Sequence, residues 1–161
     1  MLTPAQRTTL KANILATPAA LAFYAVGNLS GLADFYNTTD APSFFVWRTS
    51  VPLNEIMLNG FDWTRVDNLS VGKARIWEWM FDTVGAIDPT KPNIRAGIEA
   101  VWVGTAADLA VRAVVYGHCQ RTASRIEKLF AVGAGTTVVN GSGPATMGLE
   151  GPLNFGDLVG L

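Results

Sequence analysis

The stretch that most constrains this chain is its last one, residues 133–161, which reads GAGTTVVNGSGPATMGLEGPLNFGDLVGL. Half of the sixteen glycines fall here, with Pro144 and Pro152, and only Glu150 and Asp157 carry charge. Glycine and proline at this density cannot continue a helix. Yet Val138, Val139, Met147, Leu149, Leu153, Phe155, Leu158, Val159 and Leu161 make the segment too apolar for a solvated tail. Something has to cover it. The expectation is an extended assembly arm, residues 133–161, docked on a helical body of residues 1–132, on a neighbouring copy, or on both. Within it, residues 136–139 and 145–149 are spaced to pair as a hairpin across Asn140-Gly141-Ser142-Gly143. An isolated hairpin is marginal in water, so this one needs a partner surface.

Composition points the same way. The chain is 49% hydrophobic and 16% charged, against about 25% charged in ordinary globular chains. With five tryptophans and a mean hydropathy of +0.25, it holds more apolar surface than a modest monomer easily hides. Either the core is unusually rich or part of that surface is an interface, and the reading favours the interface. A length of 161 residues fits one core of ordinary size. A net charge of −1 gives no electrostatic case for nucleic-acid binding. The single cysteine, Cys119, excludes an internal disulfide. Residues 14–26 form an apolar run after Arg7 and Lys11 that superficially resembles a signal peptide. Thr17-Pro18 interrupts it, and it is too short to span a bilayer, so it reads as a core helix. Asn-x-Ser/Thr triplets at Asn28, Asn37, Asn68 and Asn140 carry meaning only in a secreted chain.

Along the chain, helix signals recur. Thr3-Pro4-Ala5-Gln6 has the form of an N-terminal cap, with Leu10, Ile14 and Leu15 following at helical spacing. Thr17-Pro18 restarts or kinks that helix, and Gly27-Asn28 ends it. Ser30 is placed to cap a third helix over residues 31–36, and residues 37–43 read as a polar loop. Residues 44–49 (FFVWRT) are aromatic and β-branched, hence extended. Ser50 is expected to cap a turn of helix over residues 52–58, stopped by Asn59-Gly60, and Phe61-Asp62-Trp63 to open another short helix. Residues 70–84 give the clearest helical pattern, with Val71, Ala74, Trp77, Met80, Phe81 and Val84 in one stripe, Ile76 on its edge and Trp79 off it. A rigid loop over residues 88–92 precedes a helix over residues 93–103, whose apolar face is Ile94, Ile98, Val101 and Trp102. Thr105 to Asp108 has the form of a capping box opening residues 106–116. After Gly117 a last helix is expected over residues 122–132. The fold class is therefore mainly α: a compact bundle of about seven short helices followed by the glycine-rich extended or hairpin arm.

Chemistry-bearing patterns are sparse. Gly133-Ala134-Gly135-Thr136 resembles a phosphate loop, but its glycines follow a helix instead of leading into one. Gly72-Lys73-Ala74 lacks both the glycine loop and the hydroxyl. His118 beside Cys119 invites a catalytic dyad, yet sequence neighbours rarely face each other, and a helix-end histidine next to a buried cysteine is the plainer reading. One histidine and one cysteine do not make the usual zinc ligand sets. Asp82, Asp88, Glu99 and Asp108 show no helical spacing for acid–base work. No enzymatic activity, metal or cofactor is expected. The charge pattern with geometry is Arg121, Arg125 and Lys128, at steps of four and three on one face of the last helix. It is either a solvated face favoured by the helix dipole or a basic strip docking on an acidic partner, with Glu127 on the neighbouring face. The candidate interface residues are thus Arg121, Arg125, Lys128, Val138, Val139, Met147, Leu149, Leu153, Phe155 and Leu161.

Four stretches resemble the small virion structural proteins of tailed bacteriophages, those encoded with head and neck components. They are Val46-Trp47-Arg48-Thr49-Ser50-Val51-Pro52, then Ile87-Asp88-Pro89 with Pro92-Asn93-Ile94-Arg95-Ala96-Gly97, then RIEKLFAVGAG over residues 125–135, and PATMGLEGPL over residues 144–153. Together they cover much of the chain beyond Phe44, and none is a catalytic motif. Among virion roles the resemblance favours a head-to-tail adaptor, or head completion protein. Membership implies a non-enzymatic ring of about twelve copies joining the portal of the DNA-filled head to the tail. Its implied partners are copies of itself, the portal protein and a tail or tail-completion protein, with no sequence-specific nucleic acid and no membrane. The implied location is the virion head–tail junction, after assembly in the bacterial host cytoplasm. Another virion component, tail-completion or capsid-stabilising, stands as the alternative, and a small-ligand-binding helical domain as a more distant one.

Overall fold

A computed structural model describes residues 1–82 and 84–161. Thr83, within the helix expected over residues 70–84, lies outside the described residues. The chain is mainly α. In order it forms α1 (Pro4–Ala16), α2 (Pro18–Ala25), α3 (Leu29–Asn37), β1 (Phe45–Trp47), β2 (Val51–Pro52), α4 (Leu53–Leu58), a 3-10 helix (Trp63–Asn68) and α5 (Val71–Asp82). It continues with β3 (Ala86–Ile87), α6 (Pro92–Val101), α7 (Ala106–Cys119), β4 (Gln120–Thr122), α8 (Arg125–Phe130) and α9 (Phe155–Leu158).

Local chemistry explains most boundaries. Thr3 and Gln6 form the full capping box of α1, and Thr105 and Asp108 that of α7. Pro18 occupies the first turn of α2, where its missing N–H costs nothing, and Pro92 does the same for α6. Three expected starts move. Asn28, not Ser30, caps α3, its side chain accepting from Gly31 N–H at 2.9 Å. Ser50 caps nothing: Val51–Pro52 pairs with Ala86–Ile87 as an antiparallel strand, and α4 begins after it. The last body helix starts at Arg125, because Ser124 and Glu127 close a capping box there. One expected stop also fails, since α7 runs through Gly117 to Cys119. A single glycine inside a helix costs only about 1 kcal/mol.

The chain divides into two compact units, each assembled from separate segments. The first comprises Met1–Phe44, Thr122–Val132 and Met147–Leu161, and the second Phe45–Arg121 and Gly133–Thr146. Each has its own core. In the first, Leu10, Ile14, Leu32 and Tyr36 of α1 and α3 meet Ile126 of α8, with Leu153 and Leu158 from the chain's last residues. In the second, Trp77 and Phe81 of α5, Ile98 and Val101 of α6 and Val111 and Val115 of α7 close on Phe61 and Trp102. Trp77 lies 5.0 Å from Phe81, 5.3 Å from Trp102 and 5.9 Å from Phe61, ring centre to ring centre. Each such aromatic pair adds about 0.5–1.5 kcal/mol beyond its buried area. The ends of the α5 stripe leave this core, for Val71 and Val84 are exposed.

The segment of residues 133–161 is shared between the units. Residues 133–146 belong to the second and 147–161 to the first. The hairpin forms, but not between the expected strands. Val139 and Ser142 exchange N–H···O bonds of 2.8 and 3.1 Å, and Thr136 N–H reaches Gly143 O at 3.1 Å. Asn140 and Gly141 have φ of 46° and 68°, the left-handed pair that a type I′ turn needs. Residues 145–149 do not close on 136–139. Ala145 instead bridges Val46 in parallel, accepting from Trp47 N–H and donating to Phe45 O, both at 2.9 Å.

Candidate functional site

The basic strip is split by the helix boundary. Residues 120–122 stay extended as β4, so Arg121 lies off α8 and in the second unit. Arg125 and Lys128, three residues apart on α8, do share a face. Asp40, in the loop after α3, stands between them, 3.4 Å from Arg125 Nη2 and 3.2 Å from Lys128 Nζ. The Lys128 ammonium and the Ala41 N–H hold the Asp40 carboxyl below the usual carboxylate range. Arg125 also donates to Phe35 O at 3.0 Å and to the Thr38 hydroxyl, and its guanidinium lies 4.4 Å from the Phe35 ring centre. The strip is therefore two cations, half-exposed and partly engaged within the first unit. Glu127 turns inward, its two oxygens accepting from Ser124 N–H at 3.0 Å and Gly151 N–H at 3.1 Å.

The apolar residues expected at the interface separate into inward and outward sets. Val138 packs against the second core, its N–H donating to Gln120 Oε1 at 3.1 Å. Leu149, Leu153 and Leu161 pack in the first core, and Met147 is half-buried. Asn37 fixes Leu153 on both sides, donating to its carbonyl at 3.0 Å and accepting its N–H at 2.6 Å. Asp157 is buried and ties the chain's two ends together. One oxygen accepts Leu2 N–H at 2.8 Å and the other Asn154 N–H at 3.1 Å. Burial opposes its charge, but those N–H groups and the nearby amino terminus outweigh it and hold the carboxyl low. Two of the expected residues face outward: Val139, 64% exposed, and Phe155, 60% exposed.

Sequence reasoning passed over Trp63 and Trp79, which are 58% and 66% exposed in the second unit. The signal for Trp79 was its place off the α5 stripe. Trp63 had none, because a 3-10 helix has no long apolar period. Asp40 was equally hidden, since its cationic partners lie 85 and 88 residues away.

Cys119, His118, Glu55 and Glu99 are engaged structurally. Cys119 is buried, and burial pushes its thiol up to about 12. The His118 ring nitrogens lie 3.4 Å from Glu55 Oε1 and 3.1 Å from Asn59 O. Glu55 in turn takes a bidentate pair from Arg48. Glu99 accepts from Arg112 and from the Tyr116 hydroxyl, and Arg112 reaches Asn140 Oδ1 at 3.3 Å. Among the described residues no group of three or more His, Cys, Asp or Glu side chains is placed to hold a metal, and no helix is long and apolar enough to cross a membrane. No protein-family model matches the chain, and no curated protein or solved structure matches it either.

Proposed function

We propose that this chain is a non-enzymatic assembly protein of a tailed-bacteriophage virion, placed at the neck as a head-to-tail adaptor. The observation that carries the reading is the set of large apolar side chains left in solvent although each unit has a closed core: Trp63 and Trp79 in the second unit with Val139, and Phe155 in the first. Tryptophan and other aromatics concentrate binding energy at protein interfaces, and leaving them exposed costs solubility unless a partner covers them. The resemblance of residues 46–52, 87–89 with 92–97, 125–135 and 144–153 to virion neck proteins supplies the context.

In this reading residues 133–161 are the assembly arm. Leu149, Leu153 and Leu161 anchor it, and Val139 and Phe155 meet a neighbouring chain. The copies form a closed ring of about twelve that joins the portal to the tail or tail-completion protein, assembled in the host cytoplasm and retained in the virion. The test is a reconstruction of the assembled particle with the chain located in it. Density at the head–tail junction, with Phe155 or Trp79 buried against a neighbour, is the expected result. The same chain on the capsid surface or inside the tail supports the alternative virion roles, and its absence from the particle overturns the reading.

A further inference from the structure

The first unit contains a cavity of about 500 Å³, within the size range of small-molecule sites. Arg125 and Lys128 give its wall two cations, and Asp40 gives it one carboxylate. Asp40 stays ionised beside them, so the wall keeps a net positive charge. Lys128 has three donors, of which the contact with Asp40 uses one. Elsewhere on the wall the Tyr36 hydroxyl, on a residue only 2% exposed, donates to Asn13 Oδ1 at 2.6 Å. Burial raises that phenol to about 12, so it remains a neutral donor at physiological pH. The bond holds the Asn13 side chain in place and leaves its amide N–H groups for another acceptor. Phe35 and Leu129 add apolar surface.

We propose that this cavity binds a small organic anion. Its carboxylate or phosphate sits against Lys128 and Arg125, its apolar body lies on Phe35 and Leu129, and a polar atom accepts from Asn13. The apolar body is required because a bare inorganic anion fills only a small part of the space. The site is independent of the assembly reading: binding is measured on the isolated chain, so either claim can fail alone.

The experiment titrates the isotope-labelled full chain with benzoate and with phenyl phosphate, using benzyl alcohol as the neutral control, and follows amide chemical shifts. Expected are saturable shifts at Asn13 and around Arg125 and Lys128 with the anions, and none of comparable size with benzyl alcohol. Whichever anion shifts at lower concentration identifies the anionic group. Lys128→Gln weakens the anion roughly tenfold, about one charge-assisted hydrogen bond. Asp40→Asn tightens it, because the competing carboxylate is gone. A purely structural Asp40 predicts no such gain, and this variant carries the test alone if Lys128→Gln does not fold. Equal responses to benzyl alcohol, shifts elsewhere than the cavity, or an Asp40→Asn variant that binds no tighter would each overturn the proposal.

Discussion

Trp77 touches Phe61, Phe81 and Trp102 at once, so truncating it opens a cavity in the second core instead of trimming an edge. Trp77→Ala is expected to cost roughly 3–5 kcal/mol, read as a lower urea midpoint, and to reduce soluble expression. A neutral result would contradict the packing of Trp77 in that core. Asp108 provides a pH test. Arg65 bonding, with the Thr105 hydroxyl and N–H, lowers its carboxyl from the ordinary 3.8 to about 2. A depressed carboxylate contributes stability that is complete above its unfolded pKa and lost as pH falls through the folded one. That contribution should therefore fade between about pH 4 and 2, and Asp108→Asn should flatten this part of the stability profile. Denaturant midpoints of both proteins across that window decide it: parallel profiles would contradict the Arg65–Asp108 assignment. Caps such as Thr3–Gln6 and Thr105–Asp108 were legible in the sequence because their partners are three residues apart. The Asp40–Arg125–Lys128 triad was not, because nothing local marks a pair separated by more than eighty residues.

The arm is the element on which composition and structure instruct differently. Its glycine content announced a path without long helices, which the short α9 over Phe155–Leu158 interrupts, and Asn140-Gly141 announced the turn, since that pair tolerates left-handed backbone. Its pairing was not legible. Ala145 bonds β1 across a hundred residues of chain, and Gly143 approaches Thr137 O so closely that a Cβ would sit 2.3 Å from it. An arm merely docked on a self-sufficient helical body would be detachable, leaving a folded helical monomer once residues 133–161 are removed. The structure predicts otherwise. Leu153 and Leu158 are buried in the first core, and Asp157 holds Leu2 N–H; losing either leucine's packing alone is worth about 2–5 kcal/mol. Truncation after Val132 should therefore unfold the first unit, seen as lost near-ultraviolet circular dichroism. A truncated chain that keeps native dichroism and its unfolding midpoint would restore the detachable arm. Helix boundaries were misplaced where tertiary pairing overrode propensity, as when Val51–Pro52 joined Ala86–Ile87 instead of starting a helix at Ser50.

For the whole molecule, the decisive property is that both units leave large apolar side chains in water while closing their own cores. The exposed positions allow assembly to be tested without disturbing the fold, since surface substitutions away from special features change stability by about 0.5 kcal/mol or less. Val139→Asp and Phe155→Asp are expected to leave the unfolding midpoint of the chain in place and to weaken contacts between copies. The most direct measurement of the assembly claim is sedimentation of the purified full chain, wild type beside Phe155→Asp, over a range of concentrations. The expected result is a closed multimer many times heavier than the 17.2 kDa protomer, shifting toward protomer in the variant. A wild-type chain that sediments only as a 17.2 kDa species at every concentration, indistinguishable from the variant, would contradict it.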